Sequence, residues 1–255
     1  MVTVSALNVS YEDEEVLHDI SASFQAGQIT VIIGPNGCGK STFLKTIMRL
    51  IPYSSGSVSV SGKNLDDFTP KELARQITYL PQSRNIPDIT VSRLVMHGRF
   101  PYLGYPRNYT KQDRQLVAEA LENLGITHLA SRKMEMLSGG QRQKVYLAMA
   151  IVQQTGVILM DEPTTYLDIK NQFEILDYAR TLADQKKAVI MILHDFDEAL
   201  QYADQIILMD KGTVRMSGDA NEVLRSGAIE DVFGVKPLLY EMEGSWHCTV
   251  RPIRK

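Results

Sequence analysis

Three hydrophobic patterns follow one another along the chain. Near the N-terminus apolar and polar residues alternate, in Val2-Thr3-Val4 and again through Val16, Ile20, Ala22 and Phe24. A period of two predicts strands with one covered face. Residues 29–33 read differently, as a nearly continuous β-branched run of the kind that is covered on both faces. A glycine-rich turn at 34–39 and a helical pattern at 42–50 follow it. Further buried-strand runs at 157–160, 189–193 and 205–209 alternate with helical patterns around 168–183 and 195–202. Such alternation predicts an α/β fold whose mainly parallel sheet carries helices packed on it.

The middle of the chain has another rhythm. From about Asn85 to Gln154 the pattern is helical and no strand is evident. Thr110 followed by Asp113 has the form of a capping box. The helix it opens places Leu116, Val117, Ala120, Leu121 and Leu124 on one face, and Gly125 ends it. The stretch 85–155 therefore reads as a helical subdomain inserted into a core of about 1–84 and 156–234, all within one domain. The tail, 235–255, predicts a β-hairpin around Gly244-Ser245.

Composition narrows the classes. At 255 residues the chain has room for one large domain or a core with a subdomain. Hydrophobic residues at 44% and charged residues at 22% are those of a globular protein. The longest unbroken apolar run, 145–152, falls far short of the about 20 residues a spanning helix needs, so no membrane crossing is expected. The first Lys or Arg is Lys40, preceded by Glu12, Asp13, Glu14, Glu15 and Asp19, the reverse of a secretory leader's basic start. Cys38 and Cys248 stand far apart without a CxxC pair, which predicts a reducing compartment and no metal framework. A net charge of −3 argues against a nucleic-acid partner.

The chemistry begins at Gly34-Pro35-Asn36-Gly37-Cys38-Gly39-Lys40-Ser41-Thr42, which satisfies GxxxxGK[ST]. At average residue usage a chain of this length shows the pattern by accident about 1% of the time. Here it also follows a buried strand and opens a helix, as its mechanism requires. Glycines let successive N–H groups converge on phosphate oxygens, and the helix N-terminus adds partial positive charge. Lys40 would reach the β- and γ-phosphates of a nucleotide, and the Ser41 hydroxyl would hold Mg²⁺. Asp161 ends the apolar run 157–160, where α/β sheets place ligands, so it is a second candidate for Mg²⁺. Glu162 beside it is the candidate base for an attacking water. An Asp-Glu pair alone usually marks a helix start; the phosphate loop upstream changes that reading.

Leu137-Ser138-Gly139-Gly140-Gln141, followed by Arg142-Gln143, is a far rarer pattern. With it the whole chain resembles an ATP-binding cassette ATPase, every expected motif standing in order. The resemblance implies a P-loop NTPase core with an N-terminal antiparallel β subdomain and an inserted helical subdomain. It implies that Tyr11 stacks on adenine and that Gln82, in Tyr79-Leu80-Pro81-Gln82, is the Q-loop glutamine, a further metal contact beside Ser41 and Asp161. Asp168, in Thr165-Tyr166-Leu167-Asp168, takes the D-loop place, and His194 that of the switch histidine, so Glu162, His194 and Gln82 form the catalytic set. His18, His97, His128 and His247 carry no motif and read as structural or exposed. Ser138, Gly139 and Gly140 begin a helix and so offer a second anion site. The resemblance places that site against the ATP of a second ATPase subunit, most simply an identical one.

The resemblance also implies separate transmembrane permease subunits and, indirectly, a solute-binding protein, with this chain peripheral at the cytoplasmic face of the membrane. The permease grip would lie at about 86–105, which reads Met96-His97-Gly98-Arg99-Phe100-Pro101-Tyr102-Leu103-Gly104-Tyr105. With Glu162-Pro163-Thr164-Thr165-Tyr166-Leu167-Asp168-Ile169 it is similar to importers of iron–siderophore complexes, haem and cobalamin. The ATPase of another transporter, a soluble cassette ATPase of Fe–S assembly and a nucleic-acid-acting cassette are the alternatives. The last usually carries a long coiled-coil insertion or a second cassette, for which this chain has no room.

Overall fold

The structure is a computed structural model that describes residues 1–12, 14–82 and 86–253. The expectations that touch Asp13, Asn85 and the last two residues of the tail lie outside the described residues.

The alternating N-terminal pattern forms β1 (Val2–Tyr11) and β2 (Glu14–Phe24), paired antiparallel. They are joined by β4 (Ser55–Val60) and β5 (Lys63–Asn64) in a sheet of order β2-β1-β4-β5, with β3 (Ile29–Ile33) between them in sequence but not in space. Val2, Val4, Leu7 and Val9 of β1 are buried while the residues between them are half-buried or exposed, the signature of one covered face.

The continuous runs build the second sheet. β3, β7 (Val157–Asp161) and β8 (Ala188–Ile192) are buried at all five positions. With β6 (Ile77–Leu80), β9 (Gln205–Asp210) and β10 (Thr213–Gly218) they form a sheet of order β10-β9-β3-β8-β7-β6, parallel except for β10. Successive residues feed opposite sides. Val31, Ile158 and Met191 face a core shared with the helices, whereas Ile32, Leu159 and Ile192 face the N-terminal sheet. The layers on either side are α1 (Lys40–Ile47) with the short α2 (Pro70–Leu73), and a helical group of α3 (Val91–His97), α4 (Lys111–Asn123) and α5 (Gly139–Val152), followed by α6 (Ile169–Asp184). α7 (Phe196–Tyr202), α8 (Ala220–Arg225) and α9 (Ala228–Phe233) lead to the final pair, β11 (Val235–Met242) and β12 (Ser245–Pro252). Among the described residues no helix is long and apolar enough to cross a membrane.

Local chemistry explains the differences from the sequence reading. The helix expected at 42–50 starts at Lys40, because Gly39 in the left-handed region (φ +100°) turns the chain directly into it. It stops before Arg49, whose φ is +56°. β6 is four residues long and β4 is serine-rich, so neither has a legible period, yet both are paired. The hairpin turns at Glu243-Gly244, one residue earlier than expected; both residues have positive φ (+53° and +78°), as a type I′ turn requires.

The helical group contains one isolated bridge, Thr90 to Lys133, among the described residues outside its helices. Thr110 caps α4 and its box with Asp113 is formed. Asp113 is buried and shared: Arg99 Nε donates to its Oδ1 at 2.8 Å, while Arg99 Nη1 donates to Val152 O at 2.7 Å and to Gln154 Oε1 at 2.9 Å. One guanidinium thus fastens the start of α4 to the end of α5. Burial pushes the Asp113 carboxyl up, but the Thr110 N–H and the Arg99 guanidinium outweigh it and hold it below the ordinary value.

Arg99→Ala leaves a buried, unpaired carboxylate and is expected to cost about 3–5 kcal/mol in urea denaturation at pH 7. A depressed carboxyl contributes its stability above the unfolded-state value, about 3.9, and loses it as pH falls through the lower folded value. The gap between the wild type and Asp113→Asn should therefore narrow as the titration runs to acid.

Candidate nucleotide site

Because β3, β6, β7 and β8 are parallel neighbours, their C-terminal ends share one edge of the sheet. The end of β7 and the loops leaving that edge carry the phosphate loop, Gln82, Asp161, Glu162, Asp168 and His194. After β3 the chain passes through Gly34 to Gly39 and enters α1. A side chain at Gly39 would suffer twice, from φ +100° and from a Cβ only 2.6 Å from Leu17 Cδ2. Lys40 is buried, its Nζ donating to Gly34 O at 2.7 Å and Pro35 O at 2.8 Å. Burial pushes its ammonium below the ordinary value, opposed by Cys38, Glu162 and Asp161. Asn36, Gly37, Gly39, Lys40, Ser41 and Thr42 line a cavity of about 180 Å³, closed by Val16 and Glu162.

β7 delivers the acids. Ser41 Oγ donates to Asp161 Oδ1 at 3.0 Å, and the Tyr79 hydroxyl on β6 donates to Asp161 Oδ2 at 2.9 Å. Glu162 follows with φ +51°, a left-handed backbone on a residue that is not glycine. Its carboxylate is held from three sides. His194 Nε2, just past β8, lies 2.7 Å from Oε1; Gln82 Nε2, just past β6, donates to Oε2 at 2.5 Å; Thr165 Oγ1 donates to Oε2 at 3.1 Å. The structure thus brings Gln82, Glu162 and His194 together from three strand ends.

Tyr11 stands apart, exposed at the end of β1 and not among the described residues lining the cavity; Val16 on β2 takes that wall. Sequence reasoning missed Val16 and Tyr79. Neither carried a signal in the sequence: Tyr79 is the third residue of β6, a strand too short to show a period, and Val16 is one apolar position among several in β2.

The Leu137–Gln141 motif lies elsewhere and lines no part of that cavity among the described residues. Leu137 is buried and Ser138 is the N-cap of α5. Ser138 Oγ accepts from the Gln141 N–H at 3.3 Å, and Gln141 Oε1 accepts from the Ser138 N–H at 3.1 Å. Gly139, exposed, and Gly140, half-buried, form the first turn. A Cβ on Gly140 would lie 2.6 Å from the Asn171 side chain, which Asp168 holds through hydrogen bonds of 2.8 and 2.9 Å. Asp168 therefore caps α6 and fixes the neighbour of the glycine turn.

A profile of the family described as ABC transporter matches residues 17–165. The chain belongs to the ABC transporter family. Among curated proteins it is 39% identical to the iron(3+)-hydroxamate import ATP-binding protein FhuC of Bacillus subtilis (strain 168), over 92% of this chain and 88% of that one. To the ferric enterobactin transport ATP-binding protein FepC of Escherichia coli (strain K12) it is 37% identical over the same shares. A solved ABC transporter assigned to the metal-chelate type, in an inward-facing conformation, superposes with a TM-score of 0.86 at 27% identity, covering 100% of this chain and 98% of that one. A dimeric ATP-binding cassette in a post-hydrolysis state with ADP and phosphate bound gives 0.76 at 26% identity, over 86% and 99%.

The protein is thus an ABC ATPase with the α/β P-loop NTPase fold, and ATP is its nucleotide. ABC ATPases work in pairs with transmembrane permease subunits. The donor set also suits Mg²⁺. A hydroxyl and a carboxylate oxygen 3.0 Å apart, at the mouth of a phosphate loop, are hard ligands of the kind that ion takes.

Lys40→Ala removes the buried cation that the loop aims at its cavity. Fluorescence titration with an ATP analogue should show affinity lowered at least about tenfold and turnover lost, with an unchanged far-UV circular dichroism spectrum.

Proposed function

We propose that this chain is the ATP-hydrolysing subunit of an importer for iron–siderophore complexes, haem or cobalamin, iron–siderophore complexes first. The hydrolytic half rests on one observation: the Glu162 carboxylate beside the phosphate-loop cavity, gripped by Gln82 and His194. A carboxylate so fixed can take the proton of a water attacking the γ-phosphate, or orient that water. Lys40 and the N–H groups from Gly34 to Thr42 hold the phosphates, and Tyr11 offers an exposed ring to adenine. Ser41, Asp161 and Gln82 would hold Mg²⁺, which supplies charge neutralisation to the phosphates when bound. Ser138, Gly139 and Gly140, which line no part of their own cavity among the described residues, serve the ATP of a second copy, and Asp168, through Asn171, sits beside them at that junction.

The cargo reading is supported by the relatives, whose names specify hydroxamate, enterobactin and, in Halobacterium salinarum, cobalamin import. The permease contact is supported by a groove of about 320 Å³ whose apolar lining of Pro70, Ala74, Phe100, Pro101 and Leu103 is flanked by Lys71 and Arg107, partly within the segment expected to grip it. A solute-binding protein would deliver cargo on the far side, with this chain peripheral at the cytoplasmic face. Co-expression with candidate permeases and uptake of ⁵⁵Fe-labelled siderophores tests the cargo. ATP-dependent accumulation is expected, and haem or cobalamin uptake in its place would overturn the first choice.

Glu162→Gln keeps the hydrogen-bonding size of the side chain but cannot accept a proton. Phosphate release should fall roughly 10²–10⁴-fold, about 3–5 kcal/mol of barrier. ATP binding should be spared, so the variant should accumulate as an ATP-bound dimer in size-exclusion chromatography with Mg-ATP. Phosphate release within about threefold of wild type would remove Glu162 from this role.

A further inference from the structure

The C-terminal hairpin packs against the helix that immediately follows His194. Asp195 caps α7, accepting from the Asp197 N–H at 2.7 Å and the Glu198 N–H at 3.1 Å. The first turn of α7 then sends one side chain in each of three directions. Phe196 meets Phe233 at the end of α9, edge to face, with ring centroids 5.2 Å apart. Glu198 Oε2 accepts from Thr164 Oγ1 at 3.1 Å, two residues past Glu162. Asp197 turns to the hairpin.

There the Asp197 carboxylate joins the helix to the hairpin. Oδ1 accepts from the Cys248 backbone N–H at 2.8 Å and lies 3.3 Å from His247 Nδ1, while Oδ2 accepts from Gln201 Nε2 at 2.7 Å. His247 is held in turn by its ring stacked on Tyr240 across the hairpin, centroids 5.6 Å apart. Burial, then the Asp197 and Asp195 carboxylates, push the Cys248 thiol up to about 11, so no thiolate competes with Asp197 for these donors.

We propose that Asp197 is a positioning residue for hydrolysis: by anchoring β12 to the first turn of α7 it fixes His194, three residues upstream, against Glu162. The hairpin then belongs to the hydrolytic apparatus. Without the Asp197 anchor the first turn keeps its Phe196 contact and the Glu198–Thr164 bond but gains freedom to rotate, and His194 moves with it. The effect passes through His194, and so rests on the role given above to the Glu162–His194 pair.

The test is a double-mutant cycle on the full chain with Mg-ATP, pairing Asp197→Asn with His194→Ala and reading kcat and KM separately. Single-turnover phosphate release covers the slow variants. Asp197→Asn should lower kcat about tenfold with KM within about twofold of wild type, and should have no further effect in the His194→Ala background. His247→Ala, which leaves the carboxylate in place, should lower kcat in the same direction by a smaller factor. Should Asp197→Asn fail to fold by circular dichroism, His247→Ala carries the same cycle. An unchanged kcat, or equal losses in both backgrounds, overturns the proposal while leaving the role of His194 intact. Full turnover by His194→Ala alone overturns both.

Discussion

Everything at the site depends on parallel strands that must be covered on both faces. A strand such as Ile29–Ile33, apolar at every position but Thr30, cannot leave either side in water. It is therefore packed between the helices on one face and the N-terminal sheet on the other. Parallel pairing in turn forces each strand to be followed by a crossover, and all the crossovers depart from one edge. The phosphate loop, the Asp161-Glu162 pair, Gln82 and His194 are neighbours for that reason, although more than 100 residues separate some of them. Their proximity is a property of the sheet, with the hydrogen bonds among them as its final adjustment.

The helical subdomain is tied to this edge by few direct polar contacts. Gln143 on α5 donates to Pro163 O at 3.0 Å, directly after Glu162. Gly140 lies against Asn171, which belongs to the helix capped by Asp168. The glycine turn, which lines no part of that cavity among the described residues, is thus registered, through small contacts, to the loop that holds the candidate base. The Arg99–Asp113 pair keeps α4 and α5 together behind it, so the first turn of α5 is presented by a braced pair of helices.

The fold was legible in the sequence wherever a period was long or a run unbroken. The strands at 29–33 and 157–161, and the capped helix after Thr110, stand close to where their patterns put them. β4, β6 and β10 were not legible, because serine, threonine and a four-residue length leave no period to count; pairing with neighbours makes them strands. The phosphate loop and the acid pair were legible as motifs, since each needs a particular residue at a particular place after a strand, whereas Gln82 and His194 were legible only through the family resemblance. Tyr79 and Val16 were not, because nothing about a tyrosine or valine announces that a neighbouring strand will bring it to a carboxylate or a phosphate loop. The anchoring of α7 by Asp197 was hidden for a similar reason: its partners are about 50 residues away, and one of them is a backbone N–H.

Glu162 occupies a backbone conformation that a glycine or asparagine would take with less strain. Its carboxylate is what the neighbouring Gln82, His194 and Thr165 side chains are arranged around. Folding and chemistry therefore rank the candidates for this position in opposite orders. On the role proposed for Glu162, a library of variants sorted for heat resistance alone would drift here toward inert proteins, and hardening this ATPase means holding position 162 fixed and finding the gains elsewhere.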